Sequence, residues 1–192
     1  MSTELRVYFH FRSPYSRLGL YKLLKADIED AVPTRLHILT KAAGTDDPIN
    51  PGSTPARRAY LMQDVPRATM EAGLPISFPR PFDMDYMPAY SAFYAAREAG
   101  AGLAFATALS NSRWSDGSDV SDQAVIDEAL SQAGLQPGLS VDDAGAQLAA
   151  DTAMLEKDGA FGVPFAVLDA DGRLEKFWGQ DRFDLLIRKI KS

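Results

Sequence analysis

The two ends of this chain each carry half of an α/β sheet, and neither half can fold alone. Near the start, "LRVYFHF" (5–11) alternates and is rich in Val, Tyr and Phe, which predicts a strand. Ser13 and Pro14 then form an N-cap and first-turn pair. The helix they open is expected to reach Asp30, with Leu18, Tyr21, Leu24, Lys25 and Ile28 at helical spacing. "TRLHILT" (34–40) predicts a second strand, so the order is β-α-β, which prefers a right-handed parallel crossover. At the far end Phe165 to Leu168 predicts a strand, "DADG" (169–172) carries an Asp-Gly hairpin signal, and Leu174 to Trp178 is the return strand. Gly179 to Asp181 cap a last helix over Arg182 to Lys191. Pieces of about 40 and about 35 residues are too small for a good core. Joined, they make one four-stranded α/β domain.

The middle of the chain has a different character. "KAAGTDDPINPGSTP" (41–55) is a loop by composition, and a loop of this length in a small domain is often functional. Helical patterns follow at Ala56 to Met70, Ala89 to Gly100, Leu103 to Trp114 and Gln123 to Ala133, the last with Ser121 as its expected N-cap. A further helix opens at Ser140 or Asp142 and runs to Lys157. "GLPISFPRPFDMDYMP" (73–88) is Pro-rich and extended. The expected organisation is therefore a discontinuous domain, 1–40 with 158–192, holding an inserted helical domain, 41–157.

Composition removes several functions. Among 192 residues there is no cysteine, so the chain offers no disulfide, thiolate metal site or thiol nucleophile of its own. Its two histidines, His10 and His37, lie in different strand-like runs and make a poor metal site. A formal net charge of −6 argues against nucleic acid or an anionic membrane as partner. No signal peptide and no spanning apolar run is seen, so a cytoplasmic protein is expected.

The β-α-β plus β-β-α order resembles the thioredoxin arrangement. There the reactive group sits at the N-terminus of the first helix, and a proline, often cis, precedes the third strand. "FHFRSPYS" (9–16) stands at the first place, with serine at both positions where a dithiol enzyme has cysteine. "GVP" (162–164) stands at the second.

"FHFRSPYSRLGLYKL", "TPARRAYLMQDVPRATMEAGLPISFP", "RWSDGSDVSDQAVIDEALSQAGL" and "FGVPFAVL…FWGQDRFDLL" together resemble the 2-hydroxychromene-2-carboxylate isomerases over nearly the whole chain. That family is close to the kappa-class glutathione transferases and, more distantly, to DsbA-like oxidoreductases with an inserted helical domain. The resemblance implies an α/β thioredoxin-like fold and glutathione as cofactor, with Ser13 the catalytic residue that activates its thiol. It implies that Pro14, Tyr15, Val163, Pro164, Gln180, Asp181 and the loop residue Asn50 join Ser13 in binding glutathione. Val163 would pair through its backbone, and Asp181 through the γ-glutamyl ammonium. Each also has a plain reading: Ser13 and Asp181 as caps, Pro14 as a helix-start residue, Tyr15 as packing, Asn50 as a turn residue. Arg57 and Arg58 are candidates for a carboxylate, or a solvated helix face. Trp178 reads as packing, and Tyr86, Met87 and Tyr90 as a core stripe. His10 stands where many relatives have an acidic residue, and "FDMDYMPAYSAF" (82–93) departs from the family pattern around the substrate pocket.

The implied activity is glutathione-dependent isomerisation of an aromatic 2-oxo acid such as 2-hydroxychromene-2-carboxylate. A kappa-like transferase and a non-catalytic binding module are the alternatives. Relatives are often dimers, so a homodimer is a candidate assembly; the small-molecule partners are glutathione and an aromatic substrate.

Overall fold

A computed structural model describes residues 3–47 and 52–192. Four strands form one mixed sheet: β1 (Thr3–Phe9), β2 (Thr34–Ile38), β3 (Phe165–Ala170) and β4 (Arg173–Trp178), in the order β2-β1-β3-β4. β1 pairs with β2 in parallel, and β3 is antiparallel to both β1 and β4. The two termini thus share one sheet, as the end-to-end pattern predicts. The Asp171-Gly172 turn takes positive φ at both residues (53° and 86°), the geometry that lets a two-residue hairpin follow strand twist.

Among the described residues eight helices surround the sheet. α1 (Pro14–Lys25) and α2 (Ile28–Ala31) connect β1 to β2. α3 (Pro55–Glu71), α4 (Met87–Glu98), α5 (Gly102–Ser115), α6 (Gln123–Gln132) and α7 (Ala144–Asp158) fill the middle of the chain. A 3-10 turn (Gln180–Arg182) leads into α8 (Phe183–Ile190). The expected single helix to Asp30 is broken: Asp27 adopts a left-handed conformation (φ 46°), which turns the chain so that Ile28 and Val32 enter the core before β2. The expected strand 5–11 spans Thr3–Phe9, and the expected strand 34–40 ends at Ile38. The N-caps of α6 and α7 are Asp122 and Asp143, not Ser121 and not Ser140 or Asp142. Ser121 instead donates its hydroxyl to Asp119 at 2.6 Å.

Alternation along β1 sends Leu5, Val7 and Phe9 to one face and Arg6 and Tyr8 to the other. The first face joins α1 and α8 to the helical segment in one apolar cluster, where Phe9 meets Phe93 with ring centroids 5.0 Å apart. The second face carries α7 and two buried polar knots. Asp158, fully buried, accepts from Arg6 Nε at 2.7 Å and Tyr8 Oη at 2.6 Å. Burial alone would raise its carboxyl, but hydrogen bonds from Arg6 and Tyr8 outweigh that and hold it below the usual range. Asp151 ties His37 (2.8 Å), the Ile38 N–H (2.7 Å) and Arg97 (2.9 Å) together, fastening α7 and α4 to β2.

Candidate functional site

The site begins where β1 ends. After Phe9 the chain makes a tight turn, closed by the Ser13 N–H donating to the His10 carbonyl at 3.0 Å. Ser13 is the N-cap of α1, with extended φ and ψ of −95° and 116°, and its Oγ accepts from the Ser16 N–H at 3.1 Å. Among the described residues the Ser13 hydroxyl donates to no partner, so its proton remains available. Pro14 has no N–H, the Ser16 N–H is spent on Ser13 Oγ and the Arg17 N–H on the Ser13 carbonyl at 3.3 Å, so among the described residues the Tyr15 N–H is the first-turn donor left, at the positive end of the helix dipole.

Pro164 faces this helix through a cis Val163–Pro164 bond, the isomer the thioredoxin resemblance implies. Gly19 makes the approach possible: a Cβ there would lie 3.2 Å from Pro164 Cβ and 2.9 Å from the Phe183 ring. Extending the β1–β3 register past Tyr8 and Phe165 sets Val163 across from His10. Among the described residues the Val163 N–H and C=O make no hydrogen bond, although the Pro164 carbonyl is taken by the Gly179 N–H at 2.9 Å. Val163 therefore offers an unpaired N–H and C=O just ahead of β3, to which a short extended peptide could pair. Trp178, which the sequence reads as packing, packs on one side only. It is exposed and meets Phe161 edge-on at 4.9 Å, beside Gly162, which has no room for a Cβ (2.7 Å to Trp178 Nε1).

Gln180 and Asp181 form the 3-10 turn at the start of the last helical stretch, and Lys22 of α1 donates to the Gln180 carbonyl at 3.1 Å. This contact draws the turn against α1. Asp181 is largely exposed and only loosely paired with Arg182, at 3.8 Å. Tyr15 is half-buried, and its hydroxyl donates to Asp64 of α3 at 2.5 Å; burial and that carboxylate push its phenol well above the ordinary value. Arg57 and Arg58 are exposed and bind the chain just ahead of α3, Arg57 to Ser53 and Arg58 to the Gly52 carbonyl. Asn50 lies outside the described residues.

On the other side of Ser13 lies a group that sequence reasoning largely missed. His10 Nδ1 accepts from the Arg12 N–H at 2.9 Å, and His10 Nε2 lies 2.7 Å from Tyr90 Oη. Burial, with the charges of Arg12 and Arg113, pushes His10 down to about 3, so its ring is neutral. Tyr86 packs on His10 with centroids 4.9 Å apart. Arg12 reaches Asp83 at 3.3 Å, and Arg113 of α5 sits fully buried over the Tyr86 ring at 5.4 Å. Tyr86 and Tyr90, read in the sequence as a core stripe, are indeed buried, but both have hydroxyls in this group. Arg113 has no local signal beyond its place in a helix. Beneath α1, Arg17 is buried and held by Asn111, the Pro75 carbonyl and Ser115, which locks the helix start against α5. No group of three or more His, Asp or Glu suited to a metal occurs among the described residues. Nor is any helix among them long and apolar enough to cross a membrane.

Among solved structures the chain is similar to a 2-hydroxychromene-2-carboxylate isomerase, with a TM-score of 0.77, 21% identity and 98% of this chain covering 94% of that one. It is also similar to the cytosolic disulfide reductase DsbM from Pseudomonas aeruginosa, with a TM-score of 0.69 and 22% identity, covering 98% of each chain. The same reductase with GSH gives a TM-score of 0.67 at 20% identity, covering 98% of this chain and all of that one (100%). At such identities these likenesses speak for the fold. No curated protein matches the chain. Residues 4–191 match the model of the DSBA-like thioredoxin domain, and the chain belongs to that family.

Proposed function

We propose that this chain is a glutathione-dependent isomerase of aromatic 2-oxo acids of the 2-hydroxychromene-2-carboxylate kind. One observation carries the reading. Among the described residues, a serine hydroxyl that donates to no partner caps a helix whose Gly19 packs on a cis-proline, and the residue before that proline offers an unpaired N–H and C=O. That is a cradle for a short thiol peptide, in a chain that has no thiol of its own. The fold likeness to an isomerase and to a reductase with GSH supports it.

The residues present fit glutathione. Val163 would receive its cysteinyl backbone as a short added strand. Gln180 and Asp181 would take the γ-glutamyl end, the exposed Asp181 carboxylate facing the ammonium. Ser13 would donate its hydroxyl proton to the sulfur. When bound, glutathione supplies the nucleophile that adds reversibly to a conjugated double bond and so allows it to rotate. The Ser13 hydroxyl, the Tyr15 N–H and the positive end of α1 would favour the anionic form of that sulfur, as helix N-termini do for reactive cysteines. Phe82, exposed and 5.8 Å from the Arg12 guanidinium, would offer the conjugated substrate an aromatic surface.

The test is calorimetric titration with reduced glutathione beside S-methylglutathione. Saturable binding that favours reduced glutathione and releases protons is expected. Turnover of a chromene carboxylate without net loss of glutathione completes the case. Stoichiometric glutathione loss would mean a transferase, and no binding of either ligand would leave a binding module.

A further inference from the structure

Arg113 is an anomaly. It is fully buried, and among the described residues no carboxylate lies in salt-bridge contact with it, although Asp83 and Asp119 act on its charge from further off. Its Nη2 donates to the Phe82 carbonyl at 2.5 Å, its Nη1 meets only the Met84 sulfur at 3.5 Å, and its Nε has no partner. A buried cation that no carboxylate touches is costly to hold. Arg17, also buried and without a carboxylate, differs in having all its nitrogens engaged.

The hydroxyls around Arg113 are equally unspent. A backbone N–H can only donate, so His10 Nδ1, which accepts from Arg12, carries no proton. The neutral ring then bears its proton on Nε2 and donates it to Tyr90 Oη. Tyr90 is thereby an acceptor in that bond, and its own proton has no acceptor. Among the described residues Tyr86 Oη has no hydrogen-bond partner of good geometry, although it lies close enough to Arg113 for that guanidinium to favour its ionised form by charge and by a weak hydrogen bond, against the larger effect of burial. Arg12, directly before Ser13, is partly exposed, and among the described residues its one ion-pair partner is Asp83, whose side chain is 62% exposed. Two guanidiniums and two phenols thus converge with donors to spare.

We propose that Arg12, Arg113, Tyr86 and Tyr90 form a carboxylate subsite beside Ser13, which takes the acid group of an aromatic substrate and lays its ring against Phe82. This deepens the isomerase reading and rests on it for the identity of the substrate. Asp83 stands in for the ligand: it holds Arg12 at 3.3 Å from the solvent side, and an incoming carboxylate displaces it. Phe82, exposed and 5.8 Å from the Arg12 guanidinium, is the neighbouring aromatic surface.

The experiment is calorimetric titration with phenylglyoxylate, an aromatic 2-oxo acid, beside its neutral amide, with and without saturating glutathione. The acid should bind at least about tenfold more tightly than the amide, the scale of one charge-assisted hydrogen bond. Arg12→Gln should lose about tenfold, and Asp83→Asn should gain affinity by freeing Arg12. Arg113→Met and Tyr90→Phe should also weaken the acid alone. Arg113→Met risks the fold, so Arg12→Gln and Asp83→Asn, both at partly solvated positions, decide. Equal binding of acid and amide, or an Arg12→Gln protein that binds the acid as before, would overturn the proposal. Competition between acid and glutathione would also overturn it, by giving the site to the glycine carboxylate of the peptide. Absence of glutathione binding with intact acid binding would sink the isomerase reading and leave the subsite standing.

Discussion

Ser13 performs two tasks that a pair of substitutions can separate. Its Oγ caps α1 through the Ser16 N–H at 3.1 Å, and its free proton is the proposed donor to a bound thiolate. In Ser13→Ala both are lost. Loss of the cap costs about 1 kcal/mol. For a chain of this size that lowers the melting temperature by about 2–4 °C. Loss of a hydrogen bond to a charged sulfur is worth about 1.5–3 kcal/mol, or roughly 1–2 pH units in the thiol titration. Ser13 is partly exposed, so the lower end applies. Ser13→Asp divides the effects. Aspartate caps as well as serine and suits the helix dipole, so the melting temperature should hold. Its negative charge opposes the thiolate, so the bound thiol should titrate higher than in wild type. Thermal melts and the ultraviolet absorbance of bound glutathione thiolate against pH read the two quantities independently. A Ser13→Ala protein that melts lower but titrates its bound thiol as wild type does would refute the reasoning and leave Ser13 a cap.

Three further outcomes are expected. Asp158→Ala strands Arg6, which keeps Glu4 and Asp169 as partners nearer the rim, and removes the acceptor of Tyr8. The loss should be about 3 kcal/mol, at the low end for a broken buried pair, and about 6–12 °C in melting temperature; a loss within error would show the knot to be dispensable. Gly19→Ala drives a methyl group to within 2.9 Å of the Phe183 ring, so the gain in helix propensity of about 1 kcal/mol should be outweighed by overpacking. A denaturant midpoint above wild type would mean that α1 and α8 part freely. His10 is held neutral down to about pH 3, while the unfolded chain protonates it near 6.5. The unfolded state thus binds more protons in that window, so stability falls with acid from about 6.5 downward, by at most about 1.4 kcal/mol per unit. His10→Gln should flatten the urea midpoint against pH over that interval, and an unchanged slope would place the proton elsewhere.

What could be read in advance was local. Ser13 with Pro14, Asp171 with Gly172, and the shift from period-two to helical spacing each act within a few residues, and each appears in the structure. The left-handed Asp27 was not readable, because the helical spacing continues through it and only the packing of Ile28 demands the turn. The cis form of Val163–Pro164 has no local signal either, and came from the thioredoxin resemblance. Arg113 is the clearest case of a residue hidden from pattern reading. In α5 it looks like the charged side of a helix end, where a cation suits the dipole. Its burial is imposed from outside, by Phe82 to Met84 crossing over it and by Tyr86 stacking on its guanidinium. The sequence feature that pointed to the spot was instead a mismatch: "FDMDYMPAYSAF" and His10 both depart from the pattern of the isomerases they resemble. His10 and Tyr90 are hydrogen-bonded at 2.7 Å across 80 positions, so the two departures fall in one place. Glutathione chemistry and substrate choice would then be written in different parts of the chain, the first in the sheet-forming ends and the second in the turn before Ser13 and the helices that cover it.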